Sequence, residues 1–348
     1  MKRVSSYDVA KRARVSRATV SAVVNERTTP RISEETRQRV LQAIDELGYV
    51  PHLAGRSLKT GISLSIGIIV PTISDPFMAN VVQGIEDACL KVGYGVLLCN
   101  AYRDVKRTEG YVRDMVQRQV DGLIVIRPPR RLGGMAKMLD EAGLRTVYVD
   151  VYPKPWTTAT VTADSEAGGY QATSRLLALG HRRIMFLSGP LHIGTRLERF
   201  RGYRRAMSEW RIPVDRSLVW IGPREYEEKR GAYGNYELEL GRKLAQENLE
   251  ARATAAVTTS DLLAIGVMRG LFDRGCNVPS DFSIIGSDHI NIASFMRPSL
   301  SVVSQPKYRL GQEAADLLLG CINGSRKPEH IVLPVGQVQG GTVAPPAR

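Results

Sequence analysis

Cysteine is scarce and scattered. Cys89, Cys99, Cys276 and Cys321 are the four in 348 residues, with no C-x-x-C spacing. That excludes a disulfide framework or zinc ribbon and leaves small buried side chains of a reducing cytoplasm. Long apolar runs are missing: Ile66 to Val70 and Leu123 to Ile126 fall far short of the roughly 18–20 residues that span a bilayer. Behind the basic Met1-Lys2-Arg3 start there is no apolar stretch of a secretory signal, so a cytoplasmic protein is expected. Catalytic signatures are equally thin. Gly189-Pro190-Leu191-His192-Ile193-Gly194-Thr195 has P-loop spacing without the lysine that holds phosphates. G-x-G-x-x-G after a strand, G-x-S-x-G and H-E-x-x-H are all absent. His289 beside Asp288 has no accompanying nucleophile and reads as a solvent-facing histidine. The expectation is a protein that is not an enzyme, with no catalytic residue, metal, cofactor or membrane partner. Aromatics are few, at 6%, but 43% apolar and 24% charged residues are ordinary globular proportions. Disorder and fibre are excluded, and the length allows two or three domains.

Charge is present and unevenly placed. The net charge is +13; residues 1–60 hold 12 Lys/Arg against 6 Asp/Glu, and the other 288 residues hold 36 against 29. A small basic module ahead of a near-neutral body points to a polyanion partner, most often nucleic acid. Charge alone leaves a solvated basic surface as the other reading.

The module reads as three short helices. Ser5-Ser6-Tyr7-Asp8 is an S-x-x-D capping signature ahead of Val9, Ala10 and Ala13. After a break at Arg14-Val15, Ser16 caps a second helix, Arg17 to Asn25, with Val20, Val23 and Val24 inward. Arg27 to Arg31 is a loop. Ser33 caps a third helix with Val40, Leu41, Ile44 and Leu47 at helical spacing, stopped by Gly48. Two helices joined by a tight turn, with a third closing a small core, are the helix-turn-helix plan, in which the second helix enters the major groove.

Tyr7-Asp8-Val9-Ala10, Val15-Ser16, Thr19-Val20-Ser21 and Val24-Asn25, followed by Gly48-Tyr49-Val50-Pro51 and Ala54-Gly55-Arg56-Ser57-Leu58-Lys59-Thr60-Gly61, resemble the start of the LacI/GalR (lactose repressor/galactose repressor) transcription factors. On that resemblance Arg17 suits a guanine O6/N7 pair and Ala18 a thymine methyl. Thr19, Ser21, Asn25 and the Ser16 cap suit phosphate oxygens, and Ser5 and Tyr7 complete the helical DNA-contacting set. Two positions depart from the family: Arg14 replaces a turn glycine, and Ala22 replaces a longer polar residue. A positive φ at Arg14 costs about 1 kcal/mol.

Residues 52–59 are barely two turns and contain Gly55, too short to hold a helix alone in water. They are expected to be helical only when paired with a dimer mate over DNA. The resemblance gives Ala54, Arg56 and Leu58 to the DNA, with Leu58 wedged into the minor groove to kink the duplex; a plain linker leucine is the other reading.

From Leu64 onward short apolar strands alternate with amphipathic helices, and the pattern restarts after Thr162. This βα alternation predicts parallel sheets with helices on both faces. The resemblance implies an all-α, lambda-repressor-like headpiece and hinge helix ahead of an α/β core of two Rossmann-like lobes, periplasmic-binding-protein-like. The expected divisions are 1–51 for the DNA-binding domain, 52–61 for hinge and linker, and 62–348 for the core. Within the core the first lobe takes about 62–162 and 291–322, and the second about 163–290 and 323–340.

Ligands of such folds bind beyond the carboxyl ends of the strands. That rule selects Asp75, Phe77, Arg127, Asp150, the loop from Gly189 to Arg199, Ser260, Asp261 and Asp288. The family resemblance converges on Arg199, three residues before Gly202, and on Asp150, Asp288 and Gln305 at positions that hold sugar hydroxyls. Such groups suit vicinal diols, and Phe77 or Trp220 would stack on a sugar face. Asp261, just ahead of a helix, reads as an N-cap before it reads as a ligand. Ser260 stands where relatives often have Asn and Arg127 where some have a neutral residue. Arg127 together with Arg199 would favour an anionic ligand. The expectation is a homodimeric repressor of palindromic operator DNA, controlled by a sugar, sugar phosphate or sugar acid as inducer or corepressor. A solute-binding protein without DNA function is the rival reading.

Overall fold

The computed structural model describes residues 4–24, 32–50, 61–129, 133–151, 158–224, 227, 236–248 and 253–347. The chain divides into two compact units, Met1–Ser63 and Leu64–Arg348.

The first unit holds helices α1 (Ser6–Ala13), α2 (Arg17–Val24) and α3 (Glu34–Leu47). The expected capping box is present: the Ser5 N–H donates to the Asp8 carboxylate at 2.8 Å, and the Asp8 N–H donates to Ser5 Oγ at 3.4 Å. Arg14 ends α1 in the left-handed conformation, φ 54°, so the turn does demand a positive φ. Ser16 Oγ accepts from the Thr19 N–H at 3.1 Å and Ser33 Oγ from the Thr36 N–H at 3.3 Å, satisfying N–H groups that helix starts leave open. Val9, Ala10, Ala13, Val20, Val23, Val40 and Ala43 form the core. Leu41, expected inward, is 40% exposed. Ala43 takes its place because the buried stripe advances in steps of three and four from Val40 through Ala43 and Ile44 to Leu47. Asn25 and the hinge residues Ala54, Arg56 and Leu58 lie outside the described residues.

Among its described residues the second unit contains two six-stranded sheets. The first comprises β1 (Ser65–Val70), β2 (Gly95–Asn100), β3 (Gly122–Ile126), β4 (Arg145–Val149), β5 (Thr160–Ala163) and β11 (His330–Leu333). The second comprises β6 (Ile184–Ser188), β7 (Val219–Ile221), β8 (Ala255–Thr258), β9 (Ser283–Gly286), β10 (Ser301–Ser304) and β12 (Gly336–Val338). Their orders are β11-β5-β4-β3-β1-β2 and β12-β10-β9-β8-β6-β7. All pairings are parallel except β12 against β10. Central strands are near-continuously apolar because helices cover both faces. These helices are α4 (Pro76–Lys91), α5 (Val105–Gln117), α6 (Gly133–Glu141), α7 (Ser165–Ala178), α8 (Gly194–Glu209), α9 (Tyr236–Asn248), α10 (Asp261–Asp273), α11 (Asn291–Phe295) and α12 (Lys307–Asn323). Among the described residues no helix is long and apolar enough to cross a membrane. Phe77, Val81, Ile85 and Ala88 of α4 are buried as their spacing predicts, but Val92, just past the helix end, is 58% exposed.

The expected division of the lobes needs correction at its C-terminal part. Val302, assigned to the first lobe, pairs with Gly286 in the second sheet. His330 to Leu333, assigned to the second lobe, pair with Thr160 to Ala163 in the first. Only α12 joins the first lobe as expected, with Leu310, Ala314, Leu317 and Leu318 in its core. An apolar run shows that a strand is buried on both faces but not which neighbour it pairs with. The chain therefore crosses between sheets three times, after β5, β10 and β11.

Glycine fixes the closest helix contacts. A Cβ on Gly84 of α4 would stand 2.1 Å from the Tyr308 carbonyl oxygen, and one on Gly311 of α12 would stand 2.0 Å from that of Val81. Gly169 of α7 and Gly202 of α8 repeat the arrangement at 2.0 Å from the carbonyls of Arg199 and Glu166. These reciprocal contacts hold each pair at backbone-to-backbone distance, and the second pair sets the position of Arg199.

Candidate functional site

In the first unit, burial of Val20 and Val23 turns the opposite face of α2 outward, so Arg17, Ala18 and Ser21 are exposed. Tyr7 on α1 is 61% exposed. Thr19 and Ser16 share a hydroxyl contact of 2.9 Å at the start of α2, and Ser5 Oγ donates to Asp8 at 2.6 Å. Ser5 and Ser16 thus use their side chains on caps. The outward groups are an arginine, a methyl and a hydroxyl at a helix start with no acidic residue in its first turn. This suits base edges and phosphates.

In the second unit, consecutive strand ends carry the first half of the site. Arg127 follows β3 and Asp150 follows β4, each in left-handed backbone with φ of 45° and 56°. Non-glycine residues hold that conformation only where the surroundings enforce it. Here the Arg127 N–H donates to Val149 O and the Asp150 N–H to Val161 O, both at 2.9 Å. Arg127 Nε donates to Asp150 Oδ2, and its Nη1 lies 3.5 Å from Asp75. Burial opposes the Arg127 charge, but Asp150 and Asp75 more than offset it and raise its pKa. Asp75 caps α4 by accepting the Phe77 N–H at 2.9 Å. Burial pushes its carboxyl up to about 6 against the pull of Arg127.

Arg199, Asp288 and Gln305 form the other half. Arg199 Nη1 donates to Thr259 O at 3.1 Å. Burial lowers the Arg199 pKa, and Asp288 and Asp150 oppose that shift. Asp288 is raised by burial against the attraction of Arg199 and Arg127, so its field reaches both lobes. Gln305 Nε2 donates to Asp288 Oδ1 at 2.7 Å and to Ser287 O at 2.8 Å. Three of these side chains keep a buried polar atom with no hydrogen-bond partner among the described residues: Asp150 Oδ1, Arg199 Nη2 and Gln305 Oε1.

Three expected ligand contacts are corrected. Phe77 is fully buried in the first-lobe core, with the Arg127 guanidinium 4.9 Å from its ring centroid, so its face is already covered. Ser260, not Asp261, caps α10 by accepting the Leu263 N–H at 3.1 Å, and it donates to Glu237 at 2.7 Å. Asp261 is buried and accepts the N–H groups of Ser287, Asp288 and Ile290 at 2.8 to 3.0 Å. Its carboxyl holds the loop that carries Asp288. Burial and Asp288 push its pKa up to about 7.

A cavity of about 740 Å³ opens beside Arg127 and Asp150. First-lobe residues Val70, Pro71, Arg103 and Val125 line one side, and second-lobe residues Leu191, His192, Ile193, Leu197, Arg224 and Glu227 line the other. Trp220 is not on its wall.

The periplasmic binding protein-like domain family matches residues 173–343, and the lacI family of bacterial regulatory proteins matches residues 6–52. The HTH-type transcriptional repressor PurR of Vibrio atlanticus (strain LGP32) is 34% identical over 315 residues, covering 90% of each chain. The chain belongs to the LacI family. Its fold is that of the family: the lac repressor dimer bound to operator and the anti-inducer ONPF matches with a TM-score of 0.84 at 26% identity, over 99% of this chain and 100% of that one. The CelR–cellobiose complex matches at 0.67 and 30%, over 98% and 100%. This LacI-family chain is a DNA-binding transcriptional repressor, not an enzyme.

Sequence reasoning missed Arg103 and Glu227 on the cavity wall of this LacI-family repressor, and Arg196, which bonds Glu227. Arg103 follows β2 at a carboxyl strand end, so the rule that found Arg127 covers it as well. Arg196 precedes Arg199 by one helical turn, a spacing that puts both on one face. It is buried and bonds Glu227 at 3.2 Å, Glu237 at 2.7 Å and Tyr236 Oη at 2.5 Å. Arg103 Nη1 reaches the same Glu227 from the first lobe at 3.2 Å. Glu227 sits in no periodic pattern, and nothing in the sequence marks it.

Proposed function

We propose that this repressor acts as a homodimer on a palindromic operator, with one α2 in the major groove of each half-site, and that a carbohydrate-type effector between the lobes sets its affinity. The observation that carries the effector half is the set of three unpartnered buried atoms. Leaving one such atom unmet costs about 1–3 kcal/mol, and a ligand that offers donors to Asp150 Oδ1 and Gln305 Oε1 and an acceptor to Arg199 Nη2 recovers that cost. A hydroxyl does either, so a polyol suits all three; Asp150 lies on the cavity wall, while Arg199 and Gln305 are not among its wall residues. The cavity volume also falls within the range of about 300–1,000 Å³ typical of ligand sites.

The related CelR structure is a complex with cellobiose. Arg127 is matched by Asp150 and Asp75, and Arg199 faces Asp288, so these two arginines by themselves give no surplus charge for an anion. For the dimer, β2 forms one edge of the first sheet with Leu97 and Leu98 exposed at 37% and 45%, next to Leu90 and Val92 at 70% and 58%. An unpaired apolar edge of this kind invites a second chain. The connector at 52–61 and its Leu58 are proposed to link the two events, and Leu58→Ala is expected to reduce both operator affinity and DNA bend.

The test is a thermal-shift screen of the full-length protein against sugars, sugar phosphates, sugar acids and nucleobases, with operator binding followed by fluorescence anisotropy. A sugar-class compound is expected to raise the midpoint and to change operator affinity, in a direction that identifies inducer or corepressor. Asp288→Asn is expected to abolish that response. A midpoint raised by nucleobases and by no sugar-class compound refutes the carbohydrate assignment.

A further inference from the structure

The two lobes touch across the cavity through side chains that need no ligand between them. Ala101, one residue beyond β2, accepts the Asp104 N–H at 3.0 Å, so residues 101–104 form a turn ahead of α5. Asp104 then caps that helix by accepting the Arg107 N–H at 2.9 Å. Both central residues of the turn are left-handed, with φ of 52° at Tyr102 and 59° at Arg103. Turns of that kind favour Asn and Gly, and a tyrosine and an arginine hold the conformation only where the surroundings over-determine it. The Arg103 side chain is held from the second lobe. Its Nη1 lies 3.2 Å from Glu227 Oε1, and its guanidinium carbon lies 5.5 Å from the centroid of the Tyr236 ring at the start of α9, within cation–π range.

The receiving end is already built. Glu227, 5% exposed, accepts the Tyr236 hydroxyl at 2.7 Å and two bonds from Arg196 Nη1 at 3.2 and 3.3 Å. Arg196 also bonds Glu237 at 2.7 Å, and Glu237 accepts from Ser260, the cap of α10, at 2.7 Å. Burial opposes the Glu227 charge, but Arg196 and Arg103 override it and hold the carboxyl down at about 2. The side chains of Arg103 and Glu227 are 17% and 5% exposed, so salt screens their attraction little. Both residues line the cavity, one from each lobe.

We propose that Arg103 and Glu227 form a clasp that draws the lobes together in the ligand-free protein. Arg103 is its movable half, and Glu227 with Arg196 and Tyr236 is its fixed half. The clasp sets how far apart the lobes stand before any effector arrives. Without Arg103, Glu227 stays bonded to Arg196 and Tyr236, so its buried carboxylate remains partnered and only the tie to the first lobe is lost.

Small-angle X-ray scattering of the full-length protein without added ligand tests the clasp. Arg103→Gln is expected to raise the radius of gyration above that of the parent, and Glu227→Gln to do the same. The double variant is expected to go no further than either single, as two partners of one contact require. Arg103→Lys, which keeps a cation opposite Glu227, is expected to stay with the parent. Equal radii for the parent and Arg103→Gln, or a double variant that opens by the sum of the singles, overturn the proposal. Operator anisotropy in the same solutions adds a readout that rests on the effector reading given above, in which the relation of the lobes sets DNA affinity. On that reading Arg103→Gln is expected to change the operator Kd by about fivefold or more. An opened variant with unchanged operator affinity upholds the clasp and counts against that reading.

Discussion

Gln305 donates from Nε2 to the Asp288 carboxylate at 2.7 Å and to the Ser287 carbonyl at 2.8 Å, while its own Oε1 has no partner among the described residues. The residue stands one position beyond β10 of the second sheet and two before α12, which packs in the first lobe. A ligand that engages Gln305 therefore touches the strand-to-helix crossing directly. Lys307, the next side chain but one, donates to the Asp288 carbonyl at 3.0 Å and ties the same crossing to the same loop.

Gln305→Ala removes two donated bonds and leaves buried acceptors unmet, so it is expected to lower core stability by about 2 kcal/mol and to weaken effector binding. Gln305→Glu puts a second carboxylate against Asp288, whose carboxyl burial already raises. Two such groups this close share a proton. The Glu variant is expected to lose more stability at pH 8 than at pH 5. Urea unfolding at both values checks this; equal losses would falsify the contact as drawn.

Arg14 holds φ 54° and ψ 49° between α1 and α2. A side chain there costs about 1 kcal/mol relative to glycine. Arg14→Gly is expected to raise amide-exchange protection across α1 and α2 by about fivefold and, by removing a positive charge, to lower operator affinity in low salt. Unchanged protection would mean that the turn geometry carries no such cost.

Gly169 and Gly202 approach each other's helices so closely that a Cβ on either would stand 2.0 Å from a backbone oxygen, that of Arg199 in the case of Gly169. Gly169→Ala is expected to destabilise the core by about 3 kcal/mol. It should also reduce the effector response, because α8 can yield only by moving Arg199. Chemical denaturation measures the first effect and ligand titration the second. A stable variant with full response would show that α8 shifts without carrying the arginine.

Much of this was legible in the sequence for local reasons. Ser5 with Asp8, Ser16, Ser33 and Gly48 mark helix ends because caps act within a few residues, and all five hold those places. The rule of carboxyl strand ends singled out Arg127 and Asp150, which the structure places on the cavity wall, and Asp288, which follows β9 and is not a wall residue, because parallel strands open onto one rim. What stayed hidden depends on long-range pairing. Val302 and Ile331 are both apolar strand residues, and only the sheets decide which lobe each joins. Phe77 satisfies the same rim rule as Asp75 two residues earlier but points into the core. Asp261 reads as a cap from its place before a helix, yet its carboxylate serves a loop 26 to 29 residues further on.

Asp75 gives the site a pH signature. Its Oδ1 caps α4 and its other oxygen faces Arg127. Burial pushes its pKa up to about 6, with Asp288 and Glu237 adding to the rise and Arg127 opposing it, against about 3.9 in an unfolded chain. Folding thus favours the protonated form. Its contribution to stability is fully present below about pH 4 and is lost as pH rises to about 6, a loss of about 3 kcal/mol. Asp75→Asn keeps the cap, since asparagine serves as well there, and removes the titration. The variant is expected to match the parent near pH 4 and to exceed it by up to about 3 kcal/mol at pH 7.5, less whatever the Arg127 contact contributes. Parallel urea curves from pH 4 to 8 measure the difference. A difference that stays constant across that range would place the titrating carboxyl elsewhere, while one that grows through pH 5 to 6 identifies Asp75 as the buried acid beneath the cavity.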